Sequence, residues 1–478
     1  MLVFHETDPA FWVQIASSQD GQSLLISSGS STTSEVHAVS MMDPSWQPVC
    51  IHHRSPGVEY DCDIDHDQGR VWMRTNAFRP DFSLIEFKLG QSPDPESAGT
   101  RMIGLPSEQV RIDGFQLFRR HVILFLRESG QESLAILNRK TGTLVPVPLP
   151  DGLWAIEEGD NNLWDPGAWR FSLSGIDTPG AVMEVDNESG EVTILKQMPV
   201  PADFDPSHYR VWREEVPVRD KSSEVSIPVT LAMRTDPGGD SPRPGVVHVY
   251  GAYGDILEPY FRSSFTALMD RGFVVALAHV RGGGFLGESW RLAARMNTRS
   301  VAVDDFVAVA EWLQETGPVL KGSLGVSAAS AGGVVAGAAL NRCPGLFGAA
   351  VLEVPFVDIV STMSDPDIPL TLAEYEEWGN PEDPLILREM LAYSPYDNIR
   401  RQTYPPMLVT AGLNDPRVGY WEPAKYVARL RLETPTVPET LFLRTTMDGG
   451  HFGSSGRDQQ IREVAEQCAF LVHFLQTP

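Results

Sequence analysis

Apolar and polar positions change rhythm near residue 207. Before it they alternate in short runs such as "VWMRTNAF" and "HVILFLRE", set between turn-forming clusters. That alternation predicts half-buried β-strands. Longer units, "FWVQIASSQDGQSLLIS", "EYDCDIDHDQGRVWMRT", "VRIDGFQLFRRHVILFLRE" and "LWAIEEGDNNLWDPGAWRFSLSG", begin near residues 11, 59, 110 and 153. Spacings of about 40–50 residues suit four-stranded propeller blades. Residues 1–206 are therefore expected to form a partial β-propeller of about four blades. An irregular β-sandwich is the alternative that the pattern leaves open.

After residue 207 the apolar runs become nearly continuous: "GVVHVY" (245–250), "GFVVALAHV" (272–280), "GAAVLEV" (348–354) and "PMLVTAG" (406–412). Such runs suit strands buried on both faces of a mostly parallel sheet. Between them, Ala302, Phe306, Val309, Ala310 and Leu313 recur at helical spacing. Near the C-terminus Ile461, Val464, Ala465, Cys468, Leu471, Val472 and Leu475 do the same. Both stripes are expected to be core faces without chemistry. Strands alternating with helices predict an α/β domain over residues 207–478. "TDPGGDSPRPG", residues 235–245, reads as a loop leading into the first buried strand.

Composition adds limits. A chain of 478 residues is too long for one ordinary core. Its 42% hydrophobic and 21% charged residues are those of a globular protein. A net charge of −25 repels phosphates, so no nucleic-acid partner is expected. No apolar stretch approaches the ~20 residues of a membrane span, and "MLVFHETDPAFW" lacks the basic start and apolar run of a signal peptide. Cys50, Cys62, Cys343 and Cys468 are scattered and have no metal-ligand spacing among themselves. They read as reduced core residues of a cytoplasmic protein. No metal and no cofactor is expected, and no membrane association.

The candidate chemistry is nucleophilic. A serine hydroxyl attacks only with a base in hydrogen-bond reach and a group that orients the base. "SLGVSAASAGGVVAGAAL" reads as a short strand, residues 323–327, then a sharp turn and a small-residue helix. Ser330 has Ala328 two positions before it and Gly332 two after, and Gly332-Gly333 lets a helix begin close to it. Ser327 would lie inside the strand, so Ser330 is favoured. Asp415 follows the strand "PMLVTAG" in "TAGLNDPRVGYWEP", and His451 lies among glycines in "TTMDGGHFGSSGR". Each has a plain reading by itself, as a turn aspartate or a loop histidine. Together they keep the order Ser, Asp, His of α/β-hydrolases. His248 and His279, in apolar strands, read as buried and satisfied.

These stretches carry a resemblance. "VYGAYG", "HVRGGGFLGESW", "SAGG", "LEVPFVDIVSTMSDPDIPLTLAEYEEWGNP", "YSPYDNI", "NDPRVGYWEPAKY" and "MDGGHFGSSGR" resemble the prolyl oligopeptidases, and among them oligopeptidase B. A thinner likeness, as in "TTSEV" and "LNRKTGTLV", extends through the first half. The resemblance implies a serine peptidase: an α/β-hydrolase domain under a β-propeller. It implies Ser330 as nucleophile, His451 as base and Asp415 as orienting carboxylate. It implies an oxyanion held by the Tyr250 hydroxyl and the Ala331 N–H. Oligopeptidase B cleaves after Arg or Lys, and its pocket carboxylates correspond to Glu374 and Glu376, with Phe356 as the pocket aromatic. Without the resemblance, "EYEEW" reads as a solvated helix face. Glu258 corresponds to a carboxylate favouring a second basic residue, but Tyr260 stands where the family has its neighbouring acid. Arg417 corresponds to a residue binding the substrate backbone.

The resemblance also has gaps. The family propeller has seven blades, and three more than the count here would need on the order of 120–140 residues. An open four-blade sheet would expose strand edges, so the expectation is either a truncated product or gene model, or closure in a new way or by self-association. Phe285 replaces the usual acid in the "RGGGFLG" stretch, and "RLAARMNTRSVAVDDF" diverges from the family. The expected function is an endopeptidase for short peptides with Arg or Lys before the cleaved bond. An esterase on the same fold, or an inactive fragment or scaffold, are the alternatives.

Overall fold

The computed structural model describes residues 2–97, 99–219, 224–235, 241–435 and 438–476. The chain divides into two compact units. One is Met1–Ser174 with Gly180–Met198 and Leu286–Ser289; the other is Gly175–Pro179, Pro199–Phe285 and Trp290–Pro478.

The first unit is built from four-stranded antiparallel sheets, each a simple up-and-down meander. The first sheet is β1 (Trp12–Ser17), β2 (Ser23–Gly29), β3 (Ser34–Ser40) and β4 (Val49–His52). The second is β5 (Tyr60–Asp65), β6 (Arg70–Thr75), β7 (Ser83–Lys88) and β8 (Arg101–Met102). The third is β9 (Arg111–Leu117), β10 (His121–Glu128), β11 (Gln131–Asn138) and β12 (Leu144–Pro146). The fourth is β13 (Ala155–Glu158), β14 (Ala168–Gly175), β15 (Thr178–Asp186) and β16 (Val192–Gln197). The turn chemistry explains the registers. Between β10 and β11, Ser129 and Gly130 have φ of 50° and 73°. Two consecutive positive φ values make the tight hairpin turn whose twist matches the strands.

Alternation supplies the packing. Leu25, Val36 and Ala38 of the first sheet share a core with Ile64, Val71, Ile85 and Phe87 of the second. Trp72 and Leu84 of the second pack with Ile112, Val122 and Leu124 of the third. Ile123 and Leu134 of the third pack with Trp169, Phe171 and Val185 of the fourth. β1 is the exception: Trp12, Val13 and Ile15 are exposed.

The second unit is one eight-stranded sheet. Its strands are β17 (Tyr209–Arg219), β18 (Glu224–Arg234), β19 (Arg243–Val249), β20 (Val274–Ala278), β21 (Val319–Ala329), β22 (Ala349–Glu353), β23 (Met407–Gly412) and β24 (Leu441–Thr446). They lie in the order β17-β18-β20-β19-β21-β22-β23-β24. β17 and β18 form a long antiparallel hairpin, β18 meets β20 antiparallel, and the rest are parallel. Val246, Val247, Val274, Val275, Leu324, Val326, Ala350 and Val351 are all at or near zero exposure, as the continuous apolar runs require. The helices are α1 (Ser263–Met269), α2 (Glu288–Leu292), α3 (Ser300–Glu315), α4 (Gly332–Arg342), α5 (Ile359–Met363), α6 (Thr371–Trp378), α7 (Pro384–Tyr393), α8 (Trp421–Glu433) and α9 (Arg457–Gln476).

Several expectations need correcting. The nucleophile strand is longer than residues 323–327, because parallel pairing with β19 and β22 carries it to Ala329. β19 already begins at Arg243, inside the expected loop, and residues 236–240 of that loop lie outside the described residues. The stripe on α9 is core only at its end. Leu471 and Leu475 are buried, whereas Ile461 and Val464 are 55% and 39% exposed. They border a groove of about 760 Å³ shared with Ala267 and Leu268 of α1. The four cysteines are half-buried free thiols. Cys62 and Cys468 pack against the core, whereas Cys50 and Cys343 belong to none of the core clusters described. His279 is satisfied by Thr230 at 2.8 Å, but Nε2 of His248 is shielded and has no hydrogen-bond partner among the described residues. Burial and the Arg262 charge pull the His248 pKa down to about 3, so it is neutral there. Phe285, in place of an acid, is buried between His279, stacked at 3.7 Å, and the Arg213 guanidinium at 4.7 Å.

Candidate active site

The site forms where β21, β23 and β24 end. Ser330 follows β21 directly and has φ of 52°. A side chain at positive φ costs roughly 1–2 kcal/mol. Two backbone bonds hold the turn: Ser330 N–H donates to Glu353 O at 2.9 Å, and Phe356 N–H donates to Ser330 O at 2.9 Å. The small residues have specific reasons. A Cβ on Gly332 would lie 2.7 Å from Val249 O, and one on Gly333 would lie 2.5 Å from the Pro355 Cβ. Ala328 sits within the strand, paired with Leu352, and is not at positive φ, so a Cβ is tolerated there.

Asp415 and His451 arrive on loops that pack against each other. Leu413 N–H donates to Thr446 O and Asn414 N–H to Gly449 O, both at 3.0 Å. Gly412 is needed for this approach, since a Cβ there would meet Gly450 O at 2.4 Å. The result is a continuous chain of contacts. His451 Nδ1 is 2.7 Å from Asp415 Oδ2, and His451 Nε2 is 3.0 Å from Ser330 Oγ. Asp415 Oδ1 also accepts the N–H groups of Arg417 at 2.8 Å and Val418 at 3.0 Å. Burial pushes the Asp415 carboxyl up, but His451 and these two amides outweigh it and hold it below the usual carboxylate range. Asp415 is thus an ionised acceptor, which fixes His451 with its proton on Nδ1 and leaves Nε2 to take one from Ser330.

Tyr250 follows β19, and its hydroxyl is hydrogen-bonded to Ser330. Burial, with the Asp255 charge next, raises its pKa, so it stays a neutral donor. Ala331 caps α4, and its own N–H precedes the first bonds of the turn, from Gly333 N–H to Ser330 O at 2.9 Å and from Val334 N–H to Ala331 O at 3.1 Å. Both candidate oxyanion donors therefore flank Ser330. A cavity of about 630 Å³ opens here, lined by Tyr250, Asp255, Ser330, Arg417, His451 and Phe452, with Glu353 and Glu463 also in its wall. Arg417 is exposed and its guanidinium lies 5.3 Å from the Phe452 ring.

The remaining residues separate. Phe356 is 7% exposed and packs edge-on against Trp378 at 5.1 Å. It shares a cluster with Ala252, Ala331 and Val418, bordered by Tyr250, Tyr253 and Tyr375. Glu374 reaches this cluster: its Oε2 accepts from Tyr253 Oη at 2.7 Å and Trp378 Nε1 at 3.0 Å. Burial raises its pKa. Glu376 is on the same helix, but two residues turn the helix about 200°, so it does not share the face of Glu374. A neighbour already engages it. Glu258 is half-buried, likewise engaged, and is not among the described residues lining the cavity.

Sequence reading missed the supports. Glu377, 1% exposed, accepts Tyr253 N–H at 2.9 Å and pairs with Arg299, which has no exposed surface. Arg299 also donates to Gly251 O and lies 4.2 Å over the Trp378 ring. The pair ties the turn after Tyr250 to α6. Glu422 accepts the N–H groups of Val357 and Asp358, each at 3.0 Å, and the Thr362 hydroxyl at 2.6 Å. It thereby anchors the loop that carries Phe356. The signal was an acid on an apolar stripe: Glu422 precedes Tyr426 and Leu430 at intervals of four, and Ala373 precedes Glu377.

Residues 259–477 match the prolyl oligopeptidase family, and residues 1–198 match the prolyl oligopeptidase N-terminal β-propeller domain. Dipeptidyl aminopeptidase BI of Pseudoxanthomonas mexicana is 36% identical over 98% of the chain and 64% of its own length. Protease 2 of Moraxella lacunata is 32% identical over 98% of the chain and 66% of its length. Oligopeptidase B from Trypanosoma brucei, solved with covalently bound antipain, superposes with a TM-score of 0.92. It is 31% identical, over 99% of this chain and 67% of its own. The chain thus spans about two thirds of the length of these relatives. With both kinds of sheet matched and the alignments running almost end to end, the chain belongs to the prolyl oligopeptidase family, with a β-propeller domain ahead of an α/β-hydrolase domain.

Proposed function

We propose that the chain is a serine peptidase that cleaves short peptides after Arg or Lys. The observation that carries this is the hydrogen-bonded series Ser330, His451, Asp415 at 3.0 and 2.7 Å. His451 Nε2 takes the Ser330 proton as Oγ adds to the scissile carbonyl. The oxyanion forms against the Tyr250 hydroxyl and the Ala331 N–H, donors worth ~3–4 kcal/mol each in such sites. The same imidazole then protonates the leaving amine, and water releases the acyl group by the reverse sequence.

The preference for a basic residue rests on Glu374. Tyr253 and Trp378 engage only its Oε2, leaving Oε1 without a hydrogen bond among the described residues. The aromatic cluster of Phe356, Trp378 and Tyr375 lies beside it, suited to the apolar stem of Lys or Arg. Glu376, as a second pocket carboxylate, and Glu258, as a carboxylate for a second basic residue, belong to the proposal as well. A fluorogenic peptide with Arg before the cleaved bond tests the reading. Ser330→Ala should lower kcat by about 10³ or more. Glu374→Gln should raise KM for the Arg substrate while sparing one with an uncharged residue. Hydrolysis of simple acyl esters with no gain from Arg would favour an esterase instead, and inactivity of the wild type would favour a scaffold.

A second reading is release of dipeptides. It is favoured by Asp255, an exposed carboxylate in the cavity wall that suits a free α-ammonium group. Blocking the substrate's N-terminus abolishes that activity and leaves endopeptidase cleavage intact. Cytoplasmic localisation is part of the proposal, supported by four free cysteines and tested by cell fractionation. No helix among the described residues is long and apolar enough to cross a membrane. Self-association is supported by Trp12, Val13 and Ile15 on β1 and Ile194 and Leu195 on β16, and size-exclusion chromatography tests it.

A further inference from the structure

The first sheet holds a side-chain cluster that the peptidase chemistry does not use. Glu35 and His37 are two apart on β3, so they point to one face. Cys50 on β4 is the cross-strand partner of His37, and the ladder slips between Val36 and His37. His53 lies just past the end of β4. One ligand atom from each of Glu35, His37 and Cys50 falls within 4.8 Å of the others. His53 Nδ1 is 3.5 Å from Cys50 Sγ and 3.5 Å from Glu35 Oε2, and His37 Nε2 is 3.8 Å from Glu35 Oε1.

We propose that Glu35, His37, Cys50 and His53 bind one divalent cation of the zinc class. Tetrahedral bonds of about 2.0–2.3 Å put ligand atoms about 3.3–3.8 Å apart. Glu35, His37 and Cys50 already meet within 4.8 Å, and the exposed His53, 3.5 Å from Cys50 and Glu35, turns inward to complete the set. The chemistry of the donors is selective. Two imidazoles, a thiolate and a carboxylate suit a borderline cation, whereas calcium and magnesium take oxygen. The thiolate and carboxylate together balance the ion's charge, and Cys50 releases its thiol proton to solvent on binding. His37 faces Glu35 through Nε2, at 3.8 Å, and that nitrogen is the ligand position the ring offers. His53 is 88% exposed in its side chain, which leaves the cluster open to solvent.

Arg54 is the competing cation. Its Nη2 is 3.3 Å from Glu35 Oε1, and its backbone N–H donates to Glu35 Oε2 at 3.0 Å. The same Nη2 is 2.5 Å from Glu6 Oε2, so an incoming ion displaces one contact and does not strand the guanidinium. Judging the cysteines only by their spacing from one another hid this arrangement. Its ligands come as E-x-H on one strand and C-x-x-H at the end of the next. The bound ion would cross-link β3 to β4.

The test uses the full chain after chelator treatment, with cobalt(II) as the spectroscopic probe. One equivalent should produce a thiolate-to-cobalt charge-transfer band that zinc then abolishes. Cys50→Ser should remove the band, and His37→Ala should weaken binding at least tenfold. A second measurement needs no variant: zinc should slow alkylation of Cys50 but not of Cys62, Cys343 or Cys468, read by peptide mass spectrometry. Absence of the band at stoichiometric cobalt, its persistence in Cys50→Ser, or an unchanged alkylation rate at Cys50 would each overturn the proposal.

Discussion

Glu422 makes stability depend on pH in a way that can be worked out. It is 1% exposed, and burial raises its pKa from 4.5 to about 7 against the pull of its three hydrogen bonds. The unfolded chain releases this proton near the ordinary value and the folded chain about 2.5 pH units later. At 1.36 kcal/mol per unit the difference is about 3.4 kcal/mol. An acid with a raised folded pKa contributes its stability in full below pH 4.5 and loses it as pH climbs to about 7. Glu422→Gln should remove that loss without removing the contacts. The amide oxygen can take the place of Oε2 and accept Val357 and Asp358, while the amide nitrogen donates to Thr362 Oγ1. The nearby charges of Asp358 and Lys425, paired with each other, are the same in both proteins. The assay is urea unfolding of wild type and variant at pH 5 and pH 8. The variant should gain about 2–3 kcal/mol relative to wild type on going from pH 5 to pH 8. In melting temperature that is about 4–6 °C for a unit of roughly 270 residues. Parallel pH profiles for the two proteins would refute the reasoning.

Three further outcomes follow from the site. Asp415→Asn turns an NH₂ toward His451 Nδ1, forces the proton to Nε2, and should lower kcat about 10⁴-fold with KM nearly unchanged, measured by steady-state hydrolysis. Gly332→Ala puts a Cβ 2.7 Å from Val249 O, beside Tyr250, and should cost about 1–3 kcal/mol in urea unfolding together with a fall in kcat. Arg299→Met leaves the buried Glu377 with only the Arg295 guanidinium as a cation among the described residues, 3.6 Å from its other oxygen, costing up to about 3–5 kcal/mol, and the added change Glu377→Met should recover part of it.

The legible parts of this chain are those where one period dominates. Sheets starting at Trp12, Tyr60, Arg111 and Ala155 lie within two residues of where alternation marks their units. The buried parallel strands and helix α3 follow their apolar runs and stripe equally closely. The β17–β18 hairpin was less legible, because "VWREEVPV" alternates like the first half although it edges the parallel sheet. In the site, Ser330, Asp415 and His451 were visible because each sits beside glycines or a turn at a strand end. Arg299, Glu377 and Glu422 were not. Their meaning comes from partners 60 or more residues away, such as Glu422 with Thr362 and Arg299 with Glu377, and no local period encodes such a pair.

The ladders of the large sheet are uneven, and this bears on how the triad can fail. β23 pairs with β24 over six residue positions, from Met407–Leu441 to Gly412–Thr446, but with β22 over only three. Asp415 and His451 both hang from the better-zipped pair, while Ser330 stands on the other side of the short ladder. Mechanically, acid and base are one rigid jaw and the nucleophile is the other. A distortion that parts the sheet at this seam stretches the 3.0 Å link from His451 to Ser330 first and leaves the 2.7 Å link to Asp415 whole. The imidazole of a loosened enzyme would still be correctly oriented, with nothing in reach to deprotonate.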